Sequence, residues 1–262
     1  MSAIRKITVV FFLTVCLPVA GLCDTAGAAT CDAGTPRKAE MRSLLNIYSA
    51  FTDEYFNNVL RGLRLLASTH EVGSGRWDDM KGLLTEFDKS GIAAAAVWYA
   101  RPDGRYYTVE KGLMGERLND RAYFSDLMGG KSILGSLVVS KSTGKRSAVI
   151  AVPVIQQGKV VGAIGATLFL DKLSEKIAAM LSLKNGESFY ALAPDGRTVL
   201  HSITDRHFLD PRELGSGSLR KAAEEMLSRD SGEVSYEYDN ALKHAVFSTS
   251  PLTHWKFAIT RQ

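Results

Sequence analysis

The feature that most constrains this chain is a repeated turn. Residues 97–105 read VWYARPDGR and residues 189–197 read FYALAPDGR, so each copy places Pro-Asp-Gly-Arg between two short apolar runs. Proline presets φ at the first corner of a turn, and glycine accepts the positive φ that a tight turn needs. Each copy therefore predicts strand, tight turn, strand. The copies stand about a hundred residues apart, a domain-sized spacing. That spacing, and the hairpin-rich tail of both halves, predicts two domains of one type in place of a single enzyme fold.

The amino terminus predicts the compartment. Arg5 and Lys6 precede an apolar stretch from Ile7 to Leu22, and Ala26, Gly27, Ala28 and Ala29 supply small residues for cleavage. This is the pattern of a secretory signal peptide over residues 1–29. The alternative, a permanent anchor, is disfavoured by an apolar run of about 16 residues where about 20 span a bilayer. A lipoprotein modified at Cys23 or Cys31 is disfavoured because Leu22 and Thr30 stand where a small residue is needed. The expected localisation is periplasmic or secreted. Removing Arg5, Lys6 and Asp24 leaves a net charge of +3, too mild to imply nucleic acid. Of the three cysteines only Cys31 stays, too close to the new terminus to staple a core.

A long helix is expected over residues 35–72. Lys38 to His70 contains no proline, and Leu44, Tyr48, Phe51, Tyr55, Val59, Leu63 and Leu66 recur at intervals of three and four. Such a helix either runs alongside both domains or pairs with a copy of itself. A second helix covers Trp77 to Lys89. Strands are then expected at 92–99, at 106–109, at 134–140, at 147–155 and at 159–170. Residues 112–120 read as a loop and residues 121–128 as a short helix. After a connecting helix the second half repeats the order. Strands are expected at 188–192 and 198–202, a helix at 218–229, and strands at 232–238, 242–249 and 254–260.

Several motifs carry a resemblance. They are Pro102-Asp103-Gly104, the run Asp120-Arg121-Ala122-Tyr123-Phe124, the run from Val139 to Lys145, and the stretch from Val152-Pro153-Val154 through Gly158 to Gly165. On these residues the first half resembles the membrane-distal part of a double Cache domain, the extracytoplasmic sensor module of many bacterial chemoreceptors and sensor kinases. The likeness is dense from Leu44 to Leu183. It reaches the second half only through the hairpin pattern and the repeated turn. It implies an α+β fold, with a long N-terminal helix and two PAS-like domains, each built on an antiparallel sheet of about five strands. The implied domains are 73–172 for the ligand domain, 173–184 for a connecting helix and 185–262 for the second, smaller domain.

The resemblance also implies a ligand pocket between the first sheet and the segment after Gly112. The family's Arg-x-aromatic-aromatic element falls on Arg121, Tyr123 and Phe124. An arginine fork can hold a carboxylate, and the Tyr123 ring can close a small pocket while offering a hydroxyl. The bland alternative is that Arg121 pairs with Asp120 or Asp126 and fixes the loop. Tyr106 and Tyr107 point to opposite faces of one strand, so at most one lines the pocket, and Tyr107 is assigned to it. Ser140 and Thr167 are small polar residues on strands facing the same region. Amino-acid-binding members carry Trp and Tyr after the arginine and an acid in the last strand. Here Tyr123, Phe124 and Thr167 stand at those positions. A ligand ammonium would lack its countercharge there, which favours a small carboxylate or other anion.

Catalysis finds no motif. The five histidines form no close metal pair, and neither Gly-x-Ser-x-Gly nor a phosphate loop occurs. The densest polar cluster, His201 and His207 with Asp205 and Asp210, reads as a solvated loop. No cofactor and no metal are expected. No further apolar span is present and no output domain precedes Gln262. The expected function is thus a small-molecule-binding sensor that acts with a separate membrane receptor or kinase. The alternative is a structural or interaction protein with a degenerate empty pocket, forming a homodimer through the long helix.

Overall fold

In the computed structural model, residues 34–92 and 94–262 are described; the signal-peptide expectation and all three cysteines lie outside them. Helix α1 (Gly34–Ala67) is the frame of the molecule, about 51 Å long at the usual rise per residue. Its buried seam runs through Met41, Leu45, Tyr48, Thr52, Phe56, Val59 and Leu63. Leu44, Phe51, Tyr55 and Leu66 flank this seam half-buried. The expected stripe thus belongs to a wider apolar face, because α1 packs against β-strands from both halves of the chain. The helix closes earlier than residue 72. The Ser68 and Thr69 hydroxyls donate to the carbonyls of Leu65 and Leu66. Thr69 then caps a separate short turn, α2 (His70–Gly73). Helix α3 (Trp77–Lys89) follows where it is expected.

The first sheet contains β1 (Ala94–Ala100), β2 (Arg105–Thr108), β3 (Gly112–Arg117), β4 (Ile133–Val139), β5 (Arg146–Gln156) and β6 (Lys159–Phe169). Short helix α4 (Phe124–Met128) sits between β3 and β4. The strand order is β3-β2-β1-β6-β5-β4, with every neighbour antiparallel. Strand β3 corrects the loop expected at 112–120 and brings the sheet to six strands. It is an exposed edge strand containing Gly112 and Gly115, so it lacks the alternation that marks a strand in sequence. Strand β5 is buried on both faces, which explains its continuous apolar run. Ile150 and Ile164 lie on the face that meets α1, and Val97 and Tyr99 of β1 on the same face, where α3 packs. Trp98, Tyr106, Val149 and Ala163 face α4.

After α5 (Leu170–Leu181) the second sheet contains β7 (Glu187–Leu192), β8 (Thr198–His201), β9 (Ser231–Tyr238), β10 (Ala241–Thr249) and β11 (Lys256–Arg261). Helix α6 (Gly217–Ser228) lies between β8 and β9. The order is β8-β7-β11-β10-β9. Without β3, the first sheet has the same order, and each has its helix between the second and third shared strands. The two halves are therefore one topology used twice. One face of the second sheet meets α1, where the Tyr48 ring sits edge-on to Phe189 and Phe257 at 5.2 and 4.7 Å. The other face packs on α6 through Tyr190, Met226, Val234 and Phe247.

The repeated turns are one device built twice. Gly104 N donates to Arg101 O, and Gly196 N donates to Ala193 O, both at 2.9 Å. Arg105 N donates to Asp103 Oδ1, and Arg197 N to Asp195 Oδ1, both at 3.0 Å. Each arginine Nε then reaches the other oxygen of the same aspartate, at 2.6 and 2.8 Å. The two glycines have φ of +84° and +94°. The arginine after each turn is thus a local clamp on its own aspartate, and the backbone amide of Arg105 heads the contacts that hold the Asp103 carboxyl below its usual pKa.

No helix among the described residues is long and apolar enough to cross a membrane.

Candidate ligand cleft

The α4 face of the first sheet opens into a small cleft. Trp98 from β1, Tyr106 from β2 and Thr167 from β6 line it from the sheet side. Arg121 and Tyr123 line it from the segment before α4, and Ser140 and Lys141 from the end of β4. The segment is held by backbone bonds from Arg121 N to Leu118 O and from Phe124 N to Arg121 O, at 3.0 and 2.9 Å. The cavity volume is about 20 Å³, room for a group of a few atoms.

The polar groups divide into spent and available ones. Trp98 Nε1 donates to Thr167 Oγ1 at 3.0 Å, in full burial. Ser140 and Ser142 share a hydrogen bond at 3.1 Å. Lys141 Nζ is clamped between both Asp120 oxygens, at 2.8 and 2.7 Å, and also donates to Arg117 O. That clamp pulls the Asp120 carboxyl below its usual pKa, the Lys141 hydrogen bond being the largest cause. Arg121 is half-buried, and Nη2 makes a single bond, to Val139 O at 2.8 Å. It makes no ion pair with Asp120 or Asp126, which pair with Lys141 and Lys131, and its bond to Val139 O ties the segment to the end of β4. Tyr123 is 8% exposed. Burial pushes its hydroxyl up to about 12, with Arg121 pulling the other way. Burial also raises Tyr106. Neither hydroxyl has a hydrogen-bond partner among the described residues. Among the described residues no acidic side chain lines the cleft. Two free hydroxyls beside an arginine with unused N–H groups form a donor set suited to an anion.

Four of the six residues singled out in the sequence, Arg121, Tyr123, Ser140 and Thr167, meet in this cleft. Two do not. Phe124 points into the core beneath it, packed with Leu127 and Tyr106. Tyr107 lies on the other face of the sheet, stacked on Trp77 at 5.0 Å. The register Tyr99↔Tyr107 and Ala100↔Tyr106 sends Tyr107 to the helix side and Tyr106 to the cleft. Tyr106, Trp98 and Lys141 are the residues the sequence reading missed. Tyr106 was legible as half of an either-or, and Trp98 only as a strand aromatic.

The histidine cluster is also corrected. His201 and His207 are 7% and 2% exposed, not solvated. His207 Nε2 shares a hydrogen bond with Ser174 Oγ at 3.0 Å, and Ile203 N donates to His201 Nδ1 at 2.8 Å. No group of three or more potential metal ligands occurs among the described residues.

A duplicated PAS-like sheet on one long helix, with a polar cleft under the segment before α4, is the architecture of a Cache-type sensor domain. The Cache domain family model, in its dCache_1 form, matches residues 37–262, and the chain belongs to that family. The extracellular domain of rpHK1S-Z16, assigned as a histidine kinase, has a similar fold. It is 17% identical at a TM-score of 0.75, over 88% of this chain and 96% of that one. The ligand-binding domain of the Pseudomonas fluorescens chemoreceptor CtaA, in complex with L-isoleucine, gives 16% identity and a TM-score of 0.66, over 87% and 96%. In sequence, the methyl-accepting chemotaxis protein McpB of Bacillus subtilis (strain 168) is 24% identical over 193 residues. The match covers 72% of this chain and 27% of that curated relative.

Proposed function

We propose that this chain is a periplasmic or secreted sensor that binds a small carboxylate in the first-domain cleft and reports to a separate membrane receptor or kinase. One observation carries the ligand class: Arg121, Tyr106 and Tyr123 offer unpaired donors in a cleft that no acidic side chain lines. A carboxylate would take the Arg121 fork and a tyrosine hydroxyl. An α-amino acid would leave its ammonium opposite Thr167, whose hydroxyl already accepts from Trp98. The related chemoreceptor CtaA binds L-isoleucine, so this chain's cleft would differ from that one in its ligand.

The cleft volume of about 20 Å³ favours a second reading, an interaction protein whose pocket has degenerated. In that case a homodimer would use the outer face of α1, where Ile47 and Leu65 are exposed, because the inner face is covered by both sheets. A thermal-shift screen of small carboxylates and amino acids separates the two. A true ligand stabilises by about 2.7 kcal/mol at about a hundredfold excess over its Kd. A screen in which no carboxylate raises Tm defeats the sensor reading of this cleft.

A further inference from the structure

The second domain holds a cavity in the place equivalent to the first-domain cleft, between its sheet and α6. Its volume is about 40 Å³, twice that of the first. Its polar lining is a set of donors. Thr260 on β11 is 2% exposed, and its hydroxyl lies near that of Tyr236 without meeting hydrogen-bond geometry, so it is buried and unpaired. His201 accepts from Ile203 N at Nδ1, which leaves the proton of the neutral ring on Nε2 as a donor. Lys243 on β10 is half-buried and has no carboxylate or hydrogen-bond partner among the described residues. Arg206, also in the wall, is already engaged by Asp239 at 2.8 Å and lies over the Tyr238 ring. No acidic side chain lines the cavity. Leu192, Leu209, Leu214 and Leu219 give the wall an apolar part, beside the hydroxyl-bearing Ser188, Thr198, Tyr236 and Tyr238.

A buried hydroxyl without a partner costs free energy that a native structure rarely leaves uncompensated. Thr260 sits with an unpaired ammonium and an imidazole N–H in the same cavity, opposite a leucine wall. We infer that the second domain carries its own ligand site, for a short-chain monocarboxylate of about two or three carbons. The carboxylate would lie toward Thr260, His201 and Lys243, and the hydrocarbon end toward the leucines. The volume admits only a few heavy atoms, well short of a benzene-sized guest. This site is independent of the first-domain cleft, and it would let one chain read two ligands.

The test is titration calorimetry on the purified full chain with acetate, propionate and butyrate, at constant ionic strength. Three variants are compared: Thr260→Val, Lys243→Met and Arg121→Ala. Thr260→Val removes only an unpaired hydroxyl at constant shape, so its melting temperature without ligand stays at or above the parent's. Binding of at least one probe is expected to include a component that is weakened about tenfold or more by Thr260→Val and by Lys243→Met and that persists in Arg121→Ala, whatever the first cleft binds. Binding lost with Arg121→Ala but kept in the two second-domain variants assigns the carboxylate to the first cleft and overturns the proposal. So does the absence of binding by all three probes.

Discussion

Trp98 Nε1 donates a 3.0 Å hydrogen bond to Thr167 Oγ1 across the buried floor of the first cleft. The relatives that hold amino acids place an acid at the position of Thr167, as the family resemblance implies. In this chain the hydroxyl there is committed to an indole. Thr167→Val is expected to leave the Trp98 N–H buried and unpaired and to destabilise by about 1–3 kcal/mol. Thr167→Asp keeps an acceptor for Trp98 while adding negative charge to the cleft. It should retain more stability than Thr167→Val and weaken a carboxylate ligand. Urea denaturation and calorimetry together check the pair. A Thr167→Val protein as stable as the parent would show that the bond contributes nothing.

Arg121→Ala should cost a carboxylate ligand on the order of 2–5 kcal/mol, about thirtyfold or more in Kd. It should leave stability within about 1 kcal/mol, because the only bond removed is to the carbonyl of exposed Val139. Tyr123→Phe should cost about 1 kcal/mol, since one hydroxyl goes and the ring stays. Calorimetry beside a melting curve reads both. An unfolded Arg121→Ala protein would make the arginine structural.

The two repeated turns should respond unequally to the same change. Both glycines need positive φ, so alanine is strained at either. At Gly104 an added Cβ would also meet Asn119 Cβ at 2.8 Å and its backbone nitrogen at 2.9 Å. At Gly196 it would meet the Arg212 guanidinium, a side-chain end that can shift at the cost of its bond to Asp195 O. Gly196→Ala is expected to cost about 1 kcal/mol and Gly104→Ala about 2–3 kcal/mol. Melting temperatures in the reverse order would refute this account.

Tyr48 is fully buried on α1, and its hydroxyl has no hydrogen-bond partner among the described residues. Its pKa is driven far up by burial alone. Tyr48→Phe keeps both edge-on ring contacts and removes the unpaired oxygen. It is expected to stabilise the protein by up to about 1 kcal/mol. A clear fall in the urea midpoint would mean that the oxygen is satisfied in solution.

Acid should destabilise the second domain well before its carboxylates titrate. Burial is the main force lowering His201 to about 3 and His207 to about 4, against 6.5 when unfolded. Arg206 adds to the shift at His201, whereas Asp171 opposes it at His207. Both folded values are depressed, so the unfolded chain takes up protons first. Stability is therefore full above about pH 6.5 and is lost as pH falls toward 4 and then 3. At about pH 5 each histidine accounts for up to about 2 kcal/mol. The carboxyls with lowered values, Asp120 and Asp210 among them, begin to act only as pH approaches their unfolded value of 3.8, at the acid end of this window. Denaturation midpoints between neutral pH and about pH 5 measure the slope, and a flat profile would mean that the folded imidazoles protonate freely.

Local chemistry made much of this protein legible in its sequence. The Pro-Asp-Gly turns, the apolar periodicity of α1 and α3 and the alternation of the paired strands depend on φ preferences and on periods of 3.6 and 2, which single residues report. The duplication followed from them, whereas the arginine of the cleft was legible only through the family resemblance. Strand β3 was not legible, because two glycines and an exposed edge leave no pattern, and only pairing with β2 makes it a strand. The choice between Tyr106 and Tyr107 was not legible either. Alternation says that they oppose each other, but the register with β1 and the placing of α1 and α3 on one face decide which is covered. Burial of His201 and His207 has the same origin. Their segment carries the polar and turn-forming residues of a loop, and it is buried because α5 packs on β8 and brings Ser174 to His207. Sequence determined the elements and their repeat through local conformational energy, whereas the facing of each side chain depended on contacts between residues far apart in the chain, which only the tertiary structure brings together.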